Sequence, residues 1–204
     1  MAFISFDCFA GGKTGGDYGE MTYARWVQNA SDILDYAVLQ PFCDAGNIGV
    51  VGLSCGSTVG LRLALQDKRI KYVDCIATCL TVHIGMSGGG AAKCFVDNFD
   101  ALLAGERCNL FGVDFNKEFF IDDISNAPVH ALHEGSITCP VLFQQGLLDN
   151  AYRISDARLG YDLMNRKKLH VKLIEYPGGG HGLNEVADKA TEDLFAWLKE
   201  MAII

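Results

Sequence analysis

The sequence predicts an α/β fold, a three-layer α/β/α sandwich built on a mostly parallel sheet. Short apolar runs of strand length alternate with stretches of helical periodicity along most of the chain. Each run is bounded by Gly, Pro or charged residues, and the alternation strand, helix, strand, helix is the pattern of parallel strands joined by covering helices. At 204 residues, 50% hydrophobic and 21% charged, the chain is long enough to bury the core such a sheet needs, so we expect one domain spanning residues 1–204.

The expected strands are residues 3–6, 48–53, 72–77, 141–145 and 171–176. Residues 22–40 read as the first helix, because Tyr23, Trp26, Val27, Ala30, Ile33, Leu34 and Ala37 recur at helical spacing. Further helices are expected over 55–66, 155–164 and 186–201, the last with Leu194, Trp197, Leu198 and Met201 on one face. Residues 83–138 break the rhythm. They show no clear strand, open with Gly85-Met86-Ser87-Gly88-Gly89-Gly90 and are dense in phenylalanine. An irregular stretch of that length usually carries its own structure, so a helical lid or cap insertion is expected, most of its phenylalanines filling its own core.

Composition narrows the function. With 17 Lys+Arg against 25 Asp+Glu the formal charge is −8, and no basic run is available to displace counterions from nucleic acid or to coat an anionic membrane. The N-terminus has no basic n-region and reaches an acid at Asp7, unlike a secretory signal. The longest uncharged stretch, residues 75–92, carries His83 and four glycines, a poor bilayer span. Eight cysteines lie scattered in apolar stretches without any CxxC. They read as small buried hydrophobes rather than as disulfides or zinc ligands, which points to the cytoplasm.

Residues 48–53 form a buried strand that runs into Gly52-x-Ser54-x-Gly56 and then a helix-compatible stretch. A sharp strand-to-helix turn pushes the serine hydroxyl out at the top of the sheet and needs small flanking residues where backbone passes close by. Gly85-x-Ser87-x-Gly89 fits the same triplet, but three consecutive glycines start a helix poorly, so Ser54 is favoured. A serine that merely caps the helix is the plain alternative. Serine is a weak nucleophile without a base, and His181 lies in the glycine-rich turn directly after the last strand, at the sheet edge where open α/β folds place their sites. His83, His130, His133 and His170 fit surface or structural roles better. Asp149 follows the fourth strand on the same edge and can fix the tautomer of His181, with Asp156 in reserve. The order Ser, Asp, His is that of the nucleophile-elbow arrangement.

Gly12-Lys13-Thr14 ends like a phosphate-binding loop, yet the pattern needs glycine where this chain has Asp7, whose charge would repel phosphate. No cofactor and no metal are therefore expected.

On these residues the chain resembles the α/β-hydrolase superfamily, most closely its cinnamoyl/feruloyl esterase-like members. Residues 6–18 follow that family's G-x-G-x-S-x-G turn with Ala10 for the first Gly and Thr14 for Ser. The likeness continues through Gly52–Ser57, 140–149 and 176–182. It implies a serine hydrolase acting on a small-molecule carboxylic ester, with Ser54 as nucleophile, His181 as general base and then acid, Asp149 as its orienter and the Cys55 backbone N–H as an oxyanion donor. Substrate-binding residues stay unassigned. Such proteins begin with two further strands and a third that supplies the second oxyanion donor; this sequence begins at the fourth. The expectation is a truncated α/β-hydrolase fold: a fragment, or a chain whose first strand pairs directly with residues 48–53, or a homo-oligomer in which a second chain fills the gap. An acyl thioesterase, a peptidase, or a catalytically weak binding protein of the same fold are the alternatives.

Overall fold

The computed structural model describes residues 1–80, 90–110 and 112–204, with the side chains of 90–92 left aside. In chain order its elements are α1 (Tyr23–Ala37), β1 (Ile48–Leu53), α2 (Cys55–Gln66), β2 (Ile70–Ile76), α3 (Gly90–Asp97), α4 (Phe99–Leu103), β3 (Cys108–Leu110), β4 (Val113–Phe115), α5 (Lys117–Ser125), α6 (Pro128–Glu134), β5 (Val141–Gly146), α7 (Ile154–Arg166), β6 (Val171–Tyr176) and α8 (Ala187–Glu200). The main sheet has the order β1-β2-β5-β6, all parallel. Its register brings Leu53 beside Ile76, Ile76 beside Gln144 and Gly146 beside Tyr176, so the strands end almost level.

Alternation along the strands separates two faces. Val73, Cys75, Val141 and Phe143 enter the larger core with α1, α2, α6 and α7. Tyr72 and Leu142 face the other way, against Leu194, Trp197 and Leu198 of α8. Thr22 starts α1 by accepting the Arg25 N–H, the usual work of a capping hydroxyl. On the α8 side β1 is left uncovered, with Val51 and Leu53 46% and 48% exposed.

Three expectations change. Residues 3–6 form no strand and do not pair with β1; Phe3 is 69% exposed. The loop that follows is fastened to α1 instead, where the Trp26 indole donates to the Phe9 carbonyl and the Phe9 N–H donates to Asn29 Oδ1. The segment between β2 and β5 is not purely helical, since β3 and β4 pair as an antiparallel hairpin. Its Phe115, Phe119 and Phe120 join the larger core shared with α1 and α2 rather than a core of the insertion's own, with Phe115 and Phe119 stacked at 4.3 Å. Finally, Cys94 and Cys108 form a disulfide joining α3 to β3. The packing of those two elements sets their Cα atoms 6.8 Å apart, within bridging range, a proximity that spacing alone could not reveal. Cys8, Cys43, Cys55, Cys75, Cys79 and Cys139 are free. No helix among the described residues is long and apolar enough to cross a membrane.

One ion pair ties α5 to the helices beneath it. Arg62 of α2 makes a two-pronged contact with Asp122 at 2.8 and 3.1 Å, and Asp122 also accepts the Ala24 N–H at the start of α1. Both side chains are largely buried. Asp122→Ala should cost on the order of 3 kcal/mol in denaturant unfolding, because it strands the Arg62 charge away from water.

On the α8 face, buried Asp74 receives both bonds it makes from the Gln144 amide, and Tyr176 links Gln144 to Asp193. Burial pushes the Asp74 carboxyl up to about 7, against the opposing pull of Gln144. A carboxyl raised by folding adds stability that is complete below its unfolded value and is lost as pH rises through the folded one. Thermal melting from pH 4 to 8 should show this loss, on the order of 1.4 kcal/mol per pH unit within the window, and Asp74→Asn should flatten it.

Candidate active site

The turn after β1 is held in an unusual backbone conformation. Ser54 has φ +56° and ψ −120°, a region that side-chain-bearing residues rarely adopt, and its side chain makes no capping bond to α2. The capping alternative therefore fails. A Cβ on Gly52 would run into the Gly56 carbonyl, so glycine is required there by close approach of the backbone. Gly56 differs: its missing Cβ would face open space, and the need for a small residue holds on one side of Ser54 only. The turn is braced from β2, since Ser54 N–H donates to the Ile76 carbonyl and Ser57 Oγ accepts the Cys79 N–H.

Asp149 follows β5 with a fully buried side chain. Its Oδ1 accepts the N–H groups of Ala151 and Tyr152, and its Oδ2 accepts Gln145 Nε2 at 2.9 Å and lies 3.0 Å from His181 Nδ1. Burial alone would raise this carboxyl; the bonds from Tyr152, His181 and Ala151 outweigh it and hold the group below its ordinary value, so it stays ionised. His181 is carried to it by the turn after β6. The Leu148 N–H donates to Gly179, and a Cβ on Gly146 would strike the Gly179 carbonyl, so the two loops pack backbone against backbone. The imidazole side chain is 35% exposed.

Sequence reasoning missed one residue that packs on this pair. Tyr152, 4% exposed, stacks its ring on the His181 imidazole at 5.4 Å and 25°. Among the described residues Ser54 has no direct bond to His181, a gap common in unliganded sites that closes around substrate. Its only signal in the sequence is an aromatic three positions after the acid. Cys55 opens α2, so its N–H is one of the first-turn donors left without an intrahelical acceptor, while its Sγ accepts the Tyr23 hydroxyl.

The other sequence candidates go elsewhere. Asp156 is buried under the chain after β2, where it accepts the Leu80 N–H. His130 is exposed beside the Ile124 carbonyl, His133 sits in the last turn of α6, and the His170 carbonyl accepts the Val141 N–H. Ser87 and His83 lie outside the described residues. In the glycine loop near the N-terminus, Asp7 accepts the Lys13 N–H and its carboxylate fills the space in front of Gly12, where a phosphate would have to lie. No group of three or more His, Cys, Asp or Glu among the described residues is arranged to hold a metal.

Comparison with known proteins identifies the fold and the family. Est1E from Butyrivibrio proteoclasticus, solved with ferulic acid bound, superposes with a TM-score of 0.72 at 18% identity over 95% of this chain and 74% of that one. Mouse alpha/beta hydrolase domain-containing protein 10 gives 0.65 at 19% identity, over 94% and 76%. These likenesses show the fold, that of the α/β hydrolases. An uncharacterized protein of Escherichia coli (strain K12), YcjY, is 30% identical over 101 residues, which is 48% of this chain and 32% of that protein. The chain thus matches about a third of the length of its curated relative. The model of the BAAT / acyl-CoA thioester hydrolase C-terminal family matches residues 30–185, from within α1 to the turn that carries His181. With most of its length so matched and a hydrolase sheet beneath the site, the chain belongs to the BAAT / acyl-CoA thioester hydrolase C-terminal family of α/β hydrolases.

Proposed function

We propose that the protein is a serine hydrolase that cleaves carboxylic esters through an acyl-enzyme on Ser54. The observation that carries this reading is the closed Asp149–His181 pair beside a strained serine whose side chain is not spent on capping its helix. Ser54 Oγ attacks the acyl carbonyl carbon while its proton passes to His181 Nε2. The carbonyl electron pair moves onto oxygen, which meets the Cys55 N–H. Collapse expels the alcohol, which takes the proton from His181, and water then repeats the sequence to release the acid. Asp149, held ionised by its four bonds, keeps the Nδ1 proton in place and offsets the imidazolium charge. The 83–138 insertion is the segment we assign as lid over the acyl or aryl group, its residues 83–89 and 111 lying outside the described ones.

Thioesters form the second reading, favoured by the family match. The same triad serves both, because sulfur leaves without needing as strong a proton donor. Comparing kcat/KM for aryl esters, short acyl esters and acyl-CoA thioesters separates them.

A fluorophosphonate probe should label Ser54, with labelling abolished by Ser54→Ala and weakened by His181→Ala; peptide mapping reads the site. A folded wild-type protein left unlabelled contradicts the reading. Asp149→Asn should lower kcat by about 10⁴-fold, as loss of the orienting carboxylate does in other triads.

A further inference from the structure

Two adjacent glutamines near the end of β5 point to opposite faces of the sheet, as strand alternation requires. Gln144 belongs to the Asp74 network on the α8 face. Gln145 is 0% exposed and faces the turn that carries Asp149. Its Nε2 donates to Asp149 Oδ2 at 2.9 Å, with the Gly146 and Tyr152 carbonyls at 3.3 and 3.5 Å, and its Oε1 accepts the Thr78 N–H at 3.1 Å. Thr78 lies in the turn after β2, where Ala77 takes a left-handed φ of +51°. That turn also braces the serine. The Ile76 carbonyl accepts the Ser54 N–H, and the Cys79 N–H donates to Ser57 Oγ, which itself donates to the Ser54 carbonyl at 2.7 Å. The buried amide of Gln145 thus joins the turn that steadies Ser54 to the acid that orients His181.

We propose that Gln145 is a positioning residue for the triad, which fixes the plane of the Asp149 carboxylate and ties it to the turn that braces Ser54. This rests on the serine-hydrolase reading above. The N–H groups of Ala151 and Tyr152 hold Oδ1, so the carboxylate can still turn about that oxygen. The bonds that stop this turning are made at Oδ2, which Gln145 and His181 share. His181 gains and loses a proton in each half of the reaction, whereas Gln145 is the same partner throughout. An amide suits the task because it is neutral. It fills one lone pair of Oδ2 and leaves the negative charge for the imidazolium, where an Arg or Lys would take part of that charge for itself. Fully buried, Gln145 offers substrate no contact and passes no proton. Its effect is realised in the transition state, when the imidazole is charged, and so falls on kcat rather than on KM.

Two substitutions test this on an aryl ester, with kcat referred to sites titrated by a fluorophosphonate so that loss of folded protein is not read as loss of rate. Gln145→Met keeps the length and loses the amide; Gln145→Asn keeps the amide and withdraws it by one methylene. We expect kcat to fall on the order of 10- to 100-fold in each, the effect of a small misplacement of a catalytic group, with KM unchanged. The low-field proton resonance of the His181–Asp149 bond, assigned by its absence in His181→Ala, should broaden in both through faster exchange with water. In the Asp149→Asn background Gln145→Asn should lower kcat no further, because the carboxylate it positions is gone. If Gln145→Met does not fold, Gln145→Asn decides. Wild-type kcat and an unchanged resonance overturn the proposal while leaving the serine-hydrolase reading intact. So does a loss wholly in KM, an equal loss in both backgrounds, or a Gln145→Asn protein that cannot fold, each of which marks a merely structural amide. Wild-type protein left unlabelled at Ser54 overturns the reading itself, and this proposal with it.

Discussion

The level carboxyl edge of the four parallel strands is the constraint on which the rest depends. Because β1, β2, β5 and β6 pair in a register that ends them together, the turns after β1, β5 and β6 emerge side by side. Those turns carry Ser54, Asp149 and His181. Parallel strands are fixed by their slanted ladders of backbone bonds, so the separation of the three side chains is set by the sheet rather than by the loops. The loops then refine it. Ser54 N–H hangs on Ile76 of β2, and Leu148 and Gly146 are packed against Gly179, which leaves the turns little freedom to drift apart.

Hydrogen-bond accounting explains why the centre is polar yet ordered. Asp149 is fully buried, and such a carboxylate is costly unless its oxygens are satisfied. It has four partners, two of them backbone N–H groups that no side-chain substitution can remove. Tyr152 supplies one of those two and also stacks on the imidazole. Asp149, Tyr152 and His181 are thus one packed unit shared between the turns after β5 and β6, on the sheet edge where β1 delivers Ser54.

Much of this was legible in the sequence where the signal is local. The bounds of β1, α2 and β6 follow from apolar runs that stop at glycine or charge, and the strained turn at Ser54 follows from Gly52 and the helix former behind it. What needed three dimensions was missed. Residues 3–6 look like a strand because their composition is right, but a strand exists only where a partner accepts its backbone bonds. The hairpin of β3 and β4 is built from three-residue strands, too short for alternation to register. Cys94 and Cys108 pair because α3 packs on β3, and Gly56 faces open space despite its place in the motif. Tyr152 reads in sequence as one more apolar aromatic, since the stacking of its ring on His181 belongs to the fold alone.

The central claim is that Ser54 carries the acyl group during turnover. Rapid quenching of wild-type protein with an excess of acyl ester or acyl-CoA thioester, followed by mass analysis of its peptides, tests this most directly. The account predicts a transient gain of the acyl mass on the peptide containing Ser54, formed within the first turnover and lost as product accumulates. Steady release of acid with that peptide never modified, or with the acyl group on a different side chain, would contradict it.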